Sequence, residues 1–137
     1  MIRAVIDTNV LVSALILPSG NEALVLLAVQ QGIVRPCFSP AMLKEYAEVL
    51  ARPKFSFPPG EIGVLIELFQ RQGDLLHPAP LSGICPDPKD DPFMACALAA
   101  GADFLVTGNK RDFPKAQLGA TQVVNAAELL NLITFEL

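Results

Sequence analysis

The sequence predicts an α/β fold in which a central, mostly parallel, twisted sheet carries helices on both faces. Short apolar segments typical of buried strands alternate with segments of helical periodicity along the chain. The length of 137 residues is that of one domain, and a hydrophobic content of 52% is enough for a sizeable core. Because no repeat or linker interrupts the pattern, we expect a single domain spanning 1–137.

The first half of the chain alternates between strand and helix signals. Ser39 followed by Pro40 indicates a helix start, because serine caps an N-terminus and proline fits the first helical position. Pro36 lacks an N–H group for a ladder, which favours an irregular or edge position for its strand. In chain order the segments are strand Ile2–Ile6, helices Val10–Leu17 and Glu22–Gln31, strand Ile33–Phe38 and helix Pro40–Ala51.

The second half continues the alternation after a proline-rich connection, Arg52–Gly60. Gly101 is a helix stop, and Asn125 with Glu128 three residues later is a capping box. In chain order the segments are helix Ile62–Gln72, a short strand within Asp74–His77, the loop Pro78–Pro88, helix Asp91–Ala100, strands Asp103–Thr107 and Thr121–Val124, and a last helix after Asn125.

Composition excludes several classes of protein. The chain has 10 Lys and Arg against 14 Asp and Glu, a net charge of -4, so bulk charge does not hold nucleic acid. The longest apolar stretches, Ala23–Val29 and Phe93–Ala100, are too short to span a bilayer. Three cysteines without CxxC spacing indicate neither a disulfide framework nor a zinc site. We expect a reduced, cytoplasmic protein without membrane contact.

Polar residues cluster where the predicted strands end. Asp7 follows the first strand, Thr107 and Asn109 follow the fourth, and Asp90 and Asp91 begin the helix that leads to the fourth. Parallel sheets bind ligands beyond the carboxyl ends of their strands, so an acidic cleft is expected there. From the residues alone its membership stays open. Asp91 is equally well explained as a helix cap, and Glu45 has the spacing of a solvated side chain.

Four motifs in chain order resemble those of PIN-domain proteins, and the closest pattern is that of the toxins of prokaryotic toxin–antitoxin pairs. The resemblance implies a PIN-like three-layer α/β/α fold. Many family members carry Asp where this chain has Asn109, which removes one negative charge. The motifs are VIDTNVLVSA at 5–14, SP with LKEY and VL within 39–50, PDPKDDPFMA at 86–95 and LVTGNKRDF at 105–113.

The resemblance also implies the roles of individual residues. It makes the protein an Mg²⁺- or Mn²⁺-dependent endoribonuclease, in which carboxylates hold the metal. The implied catalytic residues are Asp7, Glu45, Asp91, Asn109 and Asp112. The first four of these are also the implied metal ligands. Residues implied to orient the ligands are Thr8, Asn9, Asp90 and Thr107.

The substrate implied by the resemblance is single-stranded RNA, cut to leave 5′-phosphate and 3′-hydroxyl ends. Basic residues near the motifs are expected to form a rim that binds RNA phosphates, with Arg52 and Lys54 nearby. An antitoxin protein and a second copy of the chain are the expected protein partners. The residues expected to form the rim are Lys89, Lys110, Arg111 and Lys115.

Two other functions remain open at this point. Asn109 is compatible with a PIN-like module that binds RNA or protein without cleaving it. A phosphatase of the haloacid-dehalogenase type also begins with Asp after its first strand. That family requires a second Asp two residues later, where this chain has Asn9.

Overall fold

Parallel strands build the centre of the protein. In the computed structural model, which describes residues 1–115 and 118–134, five strands form one sheet with the order β3-β2-β1-β4-β5, and every neighbouring pair is parallel. The predicted α/β architecture is therefore confirmed. The strands are β1 Ile2–Ile6, β2 Val34–Phe38, β3 Asp74–Leu75, β4 Phe104–Val106 and β5 Gln122–Val124.

Helices fill the connections between the strands, and their ends follow the predicted caps. The Ser39 hydroxyl accepts from the Met42 N–H at 3.3 Å. Asn125 and Glu128 exchange the two bonds of a capping box, at 2.8 and 3.0 Å. The helices are α1 Thr8–Ile16, α2 Asn21–Gln30, α3 Pro40–Leu50, α4 Pro59–Gln72, α5 Asp91–Ala100 and α6 Ala126–Thr134.

The strand β2 lies inside the sheet, between β1 and β3, although Pro36 predicted an irregular or edge position. The discrepancy is explained by the length of β3. This strand begins opposite Cys37 and pairs only with Cys37 and Phe38. Pro36 therefore has a neighbouring strand on the β1 side alone, where it lies opposite Ala4, and the sheet is locally an edge at that residue.

The strand order determines where the sheet can form a ligand-binding crevice. The chain moves from β1 outward to β2 and β3, then crosses back to β4 on the other side of β1. The helix α5, which makes this crossover, packs on β1 and β2. Adjacent parallel strands whose connections leave in opposite directions open a crevice at their carboxyl ends. That crevice lies between the residues following β1 and β4.

The core is apolar and continuous beneath this edge. Its largest fully buried side chains include Tyr46, Phe69 and Phe93, which contact one another through the Tyr46 ring. The three cysteines are buried and free. Among the described residues no single helix is long and apolar enough to cross a membrane. The helices α1 and α2 together reach that length and composition, but they meet at a bend of 105°.

Candidate active site

Asp7 occupies the junction of β1 and β4. Its N–H donates to the carbonyl of Val106 at 2.9 Å, which fixes the backbone to β4. Its Oδ1 accepts from the Thr8 N–H at 2.8 Å, and its Oδ2 accepts from the Thr107 hydroxyl at 2.7 Å. The residue is only 5% exposed. The strand ends therefore hold one buried carboxylate in a fixed orientation, and Asp7 and Thr107 meet as the sequence predicts.

Two further hydrogen bonds stabilise this junction, one between α1 and the segment after β4 and one within that segment. Asn9 Oδ1 accepts from the Gly108 N–H at 3.1 Å, and the Asn109 N–H donates to Thr107 Oγ1 at 3.1 Å. Thr107 thus accepts one bond and donates another to Asp7. This arrangement is consistent with Asn9 and Thr107 orienting the site.

The helix α3 brings Glu45 to Asp7. The Thr8 hydroxyl donates to the Glu45 carboxylate, so a residue with the spacing of a solvated side chain is instead half-buried against α1. The adjacent Tyr46 explains this placement, because its hydroxyl donates to the carbonyl of Ile6, the last residue of β1. The spacing of residues in α3 does not by itself reveal this anchor. The signal available was a buried tyrosine, whose hydroxyl needs a partner.

Asp7 and Glu45 line an open cleft at the edge of the sheet. Of the two neighbouring aspartates, Asp90 also lines this cleft and Asp91 does not. Asp91 is 3% exposed, and its carboxylate accepts from the N–H groups of Cys85 at 2.8 Å and Gly83 at 3.1 Å. Those bonds, that from Cys85 above all, hold the pKa of Asp91 below its usual value. The structure thus places Asp90 at the cleft and Asp91 behind it, whereas the resemblance implies Asp91 as the ligand. Successive residues at a helix start point about 100° apart, so only one of the two reaches the cleft.

Asp87 joins the same cleft and was not among the candidate residues. It precedes a 3₁₀ turn, Pro88–Asp90, and its Oδ1 accepts from the Lys89 N–H at 3.0 Å. Residues three apart in a 3₁₀ turn lie on one side. The spacing of Asp87 and Asp90 could therefore have indicated that both carboxylates face the same way.

Asn109 acts on the cleft through Asp112. Its side-chain amide donates to Asp112 Oδ1 at 3.0 Å, and Asp112, not Asn109, lines the cleft. An amide in this position satisfies the neighbouring carboxylate, where a second carboxylate would repel it. In this structure Asn109 therefore contacts Asp112, whereas the resemblance implies Asn109 as a metal ligand.

The expected basic rim is only partly assembled. Lys89 and Arg52 line the cleft. Lys110 instead pairs with Glu128 at 2.9 Å and lines a separate pocket together with Lys115. Arg111 is exposed, on the 3₁₀ turn that contains Lys110. Two of the four predicted rim residues, Lys110 and Lys115, therefore lie at this separate pocket, which β5 and Glu128 of α6 also line.

We call this site the carboxylate cleft; it has a volume of about 430 Å³. Burial, then the charges of Glu45 and Asp112, raise the pKa of Asp7 to about 6. Burial, then neighbouring charges led by Asp7, raise the pKa of Asp90 to about 7. Mutual repulsion of this kind is relieved by a proton or a cation. Its carboxylates are Asp7, Glu45, Asp87, Asp90 and Asp112.

The donors fit a hard divalent cation in kind, because Mg²⁺ and Mn²⁺ prefer carboxylate oxygens and water. Within 1–115 and 118–134, no group of three or more His, Cys, Asp or Glu side chains is arranged to hold an ion. Glu45, Asp90 and Asp112 are partly exposed. Rotation of these three side chains toward the fixed Asp7 would bring more oxygens to one point.

Comparison with known proteins identifies a family and a relative. The family described as PIN domain matches residues 3–111. A protein of Methanocaldococcus jannaschii, named "Uncharacterized protein MJ1680", is 30% identical over 112 residues, which cover 80% of this chain and 72% of that protein. The matched range of the family contains the whole carboxylate cleft except Asp112.

Proposed function

We propose that this chain, which belongs to the PIN domain family, is a metal-dependent endoribonuclease that cuts single-stranded RNA. PIN domains are generally nucleases, so the family supports the reaction class. The observation that carries the proposal is the buried carboxylate of Asp7, held between two adjacent strand ends in a cleft with four further carboxylates. Clustered acids with raised pKa values mark functional sites.

In this proposal Asp7, Glu45, Asp90 and Asp112 hold Mg²⁺ or Mn²⁺. The bound cation lowers the pKa of water and offsets the charge of the phosphate. The protein's own contribution is to orient three of these carboxylates. The Thr107 hydroxyl donates to Asp7, the Thr8 hydroxyl to Glu45 and the Asn109 amide to Asp112. Such indirect contacts commonly affect metal affinity or activity about 10- to 100-fold.

The charges of the cleft suit a polyanion that approaches from one side. Arg52 and Lys89 line the cleft beside the carboxylates, and neither takes part in an ion pair within the described part of the chain. They are available to bind phosphates on either side of the scissile one. Attack by water on that phosphate would leave 5′-phosphate and 3′-hydroxyl ends.

The biological role we propose is that of the toxin in a toxin–antitoxin pair, acting in the cytoplasm as a homodimer. This rests on the pattern of the four motifs. Two measurements test it: the mass of the purified protein in solution, and growth arrest on expression that a small protein from the neighbouring reading frame relieves. Monomeric protein, or expression without an effect on growth, would contradict the respective part.

The activity test uses end-labelled single-stranded RNA with Mg²⁺, Mn²⁺ or chelator. We expect cleavage with metal, none with chelator, and none for Asp7→Asn or Asp90→Asn. The matched control is Asp91→Asn, one residue away and outside the cleft. It should lower the melting temperature, because one backbone donor loses its carboxylate, yet cleave RNA below that temperature. Loss of cleavage in Asp91→Asn with retention in Asp90→Asn would refute the assignment.

A second candidate is a module that binds RNA without cutting it. It is favoured by the amide at Asn109, which contributes no negative charge beside Asp112. RNA binding without cleavage in any metal would support it. A small phosphate monoester in the same assay covers the phosphatase alternative, which predicts hydrolysis of the ester and not of RNA.

A further inference from the structure

Phe55 is an aromatic residue at the wall of the carboxylate cleft. It lies in the connection between α3 and α4, on a 3₁₀ turn, Pro53–Phe55, and its side chain is partly exposed. Phe57, two residues later, packs against the hydrophobic core, whereas Phe55 does not belong to the core or to the residues packed on it. Phe55 therefore lines the cleft beside the carboxylates without being part of the core.

The ring of Phe55 is supported from behind. It stacks on Phe57 with centroids 5.2 Å apart and an angle of 8° between the planes. Between them Ser56 has a left-handed backbone, φ 53°, the only positive φ outside glycine in the described residues. This conformation, uncommon for a residue with a side chain, lets residues two apart place their rings in parallel. The result is a flat apolar surface anchored to the core.

A cation lies over the ring of Phe55. The Nζ of Lys54 lies 5.1 Å from the centroid of Phe55, and Arg52 lines the cleft on the same segment. Lys54 is exposed and has no ion pair within 1–115 and 118–134. An exposed contact between an ammonium group and a ring is weak. A planar ligand can therefore displace the ammonium group, which then lies close to any phosphate attached to that ligand.

We propose that Phe55 is the stacking platform for one unpaired nucleobase of the substrate strand, next to the phosphate held in the carboxylate cleft. Aromatic rings beside cationic groups are the usual means of holding single strands, since every base has a π-face. Arg52 and Lys54 bind the phosphates on either side of that base. This inference rests on the proposed function and adds a cause for strand selection: a base inside a duplex has no free face for Phe55.

The test uses the absence of tryptophan from the chain. Phe55→Trp keeps an aromatic face and introduces a single tryptophan at the proposed subsite. It is titrated, with Ca²⁺ in place of Mg²⁺, with a single-stranded RNA and with a ribose-phosphate oligomer of equal length that carries no bases. We expect the RNA to quench the emission and the oligomer without bases to leave it unchanged. Equal quenching by both ligands would overturn the proposal.

The second measurement is the affinity of Phe55→Leu, which retains apolar bulk without a π-face. Loss of one base stack weakens affinity roughly 5- to 150-fold, so this is the loss expected for RNA, with no change for the oligomer without bases. The melting temperature should stay near that of the native protein, because Phe55 is outside the core. Equal RNA affinity for native protein and Phe55→Leu would refute the platform.

Parallel cleavage assays with the native protein separate this proposal from the proposed function. RNA cleavage together with unchanged affinity in Phe55→Leu would refute the platform and retain the nuclease. Base-dependent quenching of Phe55→Trp without cleavage by the native protein would support the platform and refute the nuclease.

Discussion

Replacing Asp7 by Asn should stabilise the metal-free protein at neutral pH. Burial, with the charges of Glu45 and Asp112, raises the pKa of Asp7 from 3.8 to about 6 in the folded state. Between these values the folded protein binds more protons than the unfolded chain, so the free energy of unfolding falls as the pH rises through this window. A difference of about two pKa units corresponds to about 3 kcal/mol. This is the cost of holding Asp7 ionised at pH 7.5.

Asparagine has the same shape as aspartate and carries no charge. Its Oδ1 can still accept from the Thr8 N–H, whereas its Nδ2 cannot accept from the Thr107 hydroxyl, which removes about 1 kcal/mol at every pH. We therefore expect Asp7→Asn to be about 2 kcal/mol more stable than the native protein at pH 7.5. Near pH 4 the advantage should vanish or reverse.

The assay is urea unfolding followed by circular dichroism, in chelator, at several pH values between 4 and 8. The matched control is Asp74→Asn, at the edge strand β3. Burial there is outweighed by hydrogen bonds and charges from Arg35 and Arg3, which leave the pKa of Asp74 below its usual value. Its ionisation therefore stabilises the fold above the unfolded pKa. Relative to the native protein, Asp74→Asn should therefore become less stable as the pH rises. Asp7→Asn should become more stable over the same range.

Metal should reverse the order of stability of the native protein and Asp7→Asn. Saturating Mg²⁺ or Mn²⁺ at about 100 times its dissociation constant should stabilise the native protein by about 2.7 kcal/mol, while Asp7→Asn gains little or nothing. A stability difference between the two proteins that is the same at pH 4 and pH 7.5 would refute the assigned burial cost. An equal gain from metal in both would place the metal elsewhere.

Three further predictions follow from the contacts of the site. Tyr46→Phe leaves the carbonyl of Ile6 without the tyrosine hydroxyl as donor, so the free energy of unfolding in urea should fall by about 1–3 kcal/mol. Metal binding should weaken as well, and full metal affinity would contradict the role of this anchor. Asn109→Asp adds a carboxylate where an amide now donates, so it should lower the metal-free melting temperature at pH 7.5 and enlarge the gain from Mg²⁺, and a smaller gain would count against this. Lys89→Ala should weaken RNA binding and reduce the slope of log affinity against log salt by about 0.7 for one phosphate contact. Lys110→Ala should change neither, because Lys110 pairs with Glu128 outside the cleft. Equal effects of the two substitutions would place the RNA path elsewhere.

The order of the elements and most of their ends could be predicted from local signals. Ser39 with Pro40 gave the start of α3, Gly101 the end of α5, and Asn125 the capping box of α6. These signals act within a few residues, so the sequence is sufficient for them. The position of Pro36 was only half predictable, because the edge at that residue depends on where the distant strand β3 begins.

The candidate site was predictable to the extent that it follows strand ends. Asp7 and Thr107 come directly after apolar strands, and parallel strands end at the same edge. Glu45 was identified by the resemblance alone. Its spacing in α3 does not reveal that the neighbouring Tyr46 reaches the end of β1.

What the sequence by itself determined is thus the set of elements, their parallel arrangement and one carboxylate at the edge of the sheet. The tertiary structure decided which side chains join it: Asp90 in place of Asp91, Asp112 in place of Asn109, and Lys89 without Lys110. Periodicity and caps are properties of neighbouring residues. The direction of a side chain at a turn depends on which distant donors and charges pack around it, and a rotation of about 100° separates adjacent positions at a helix start.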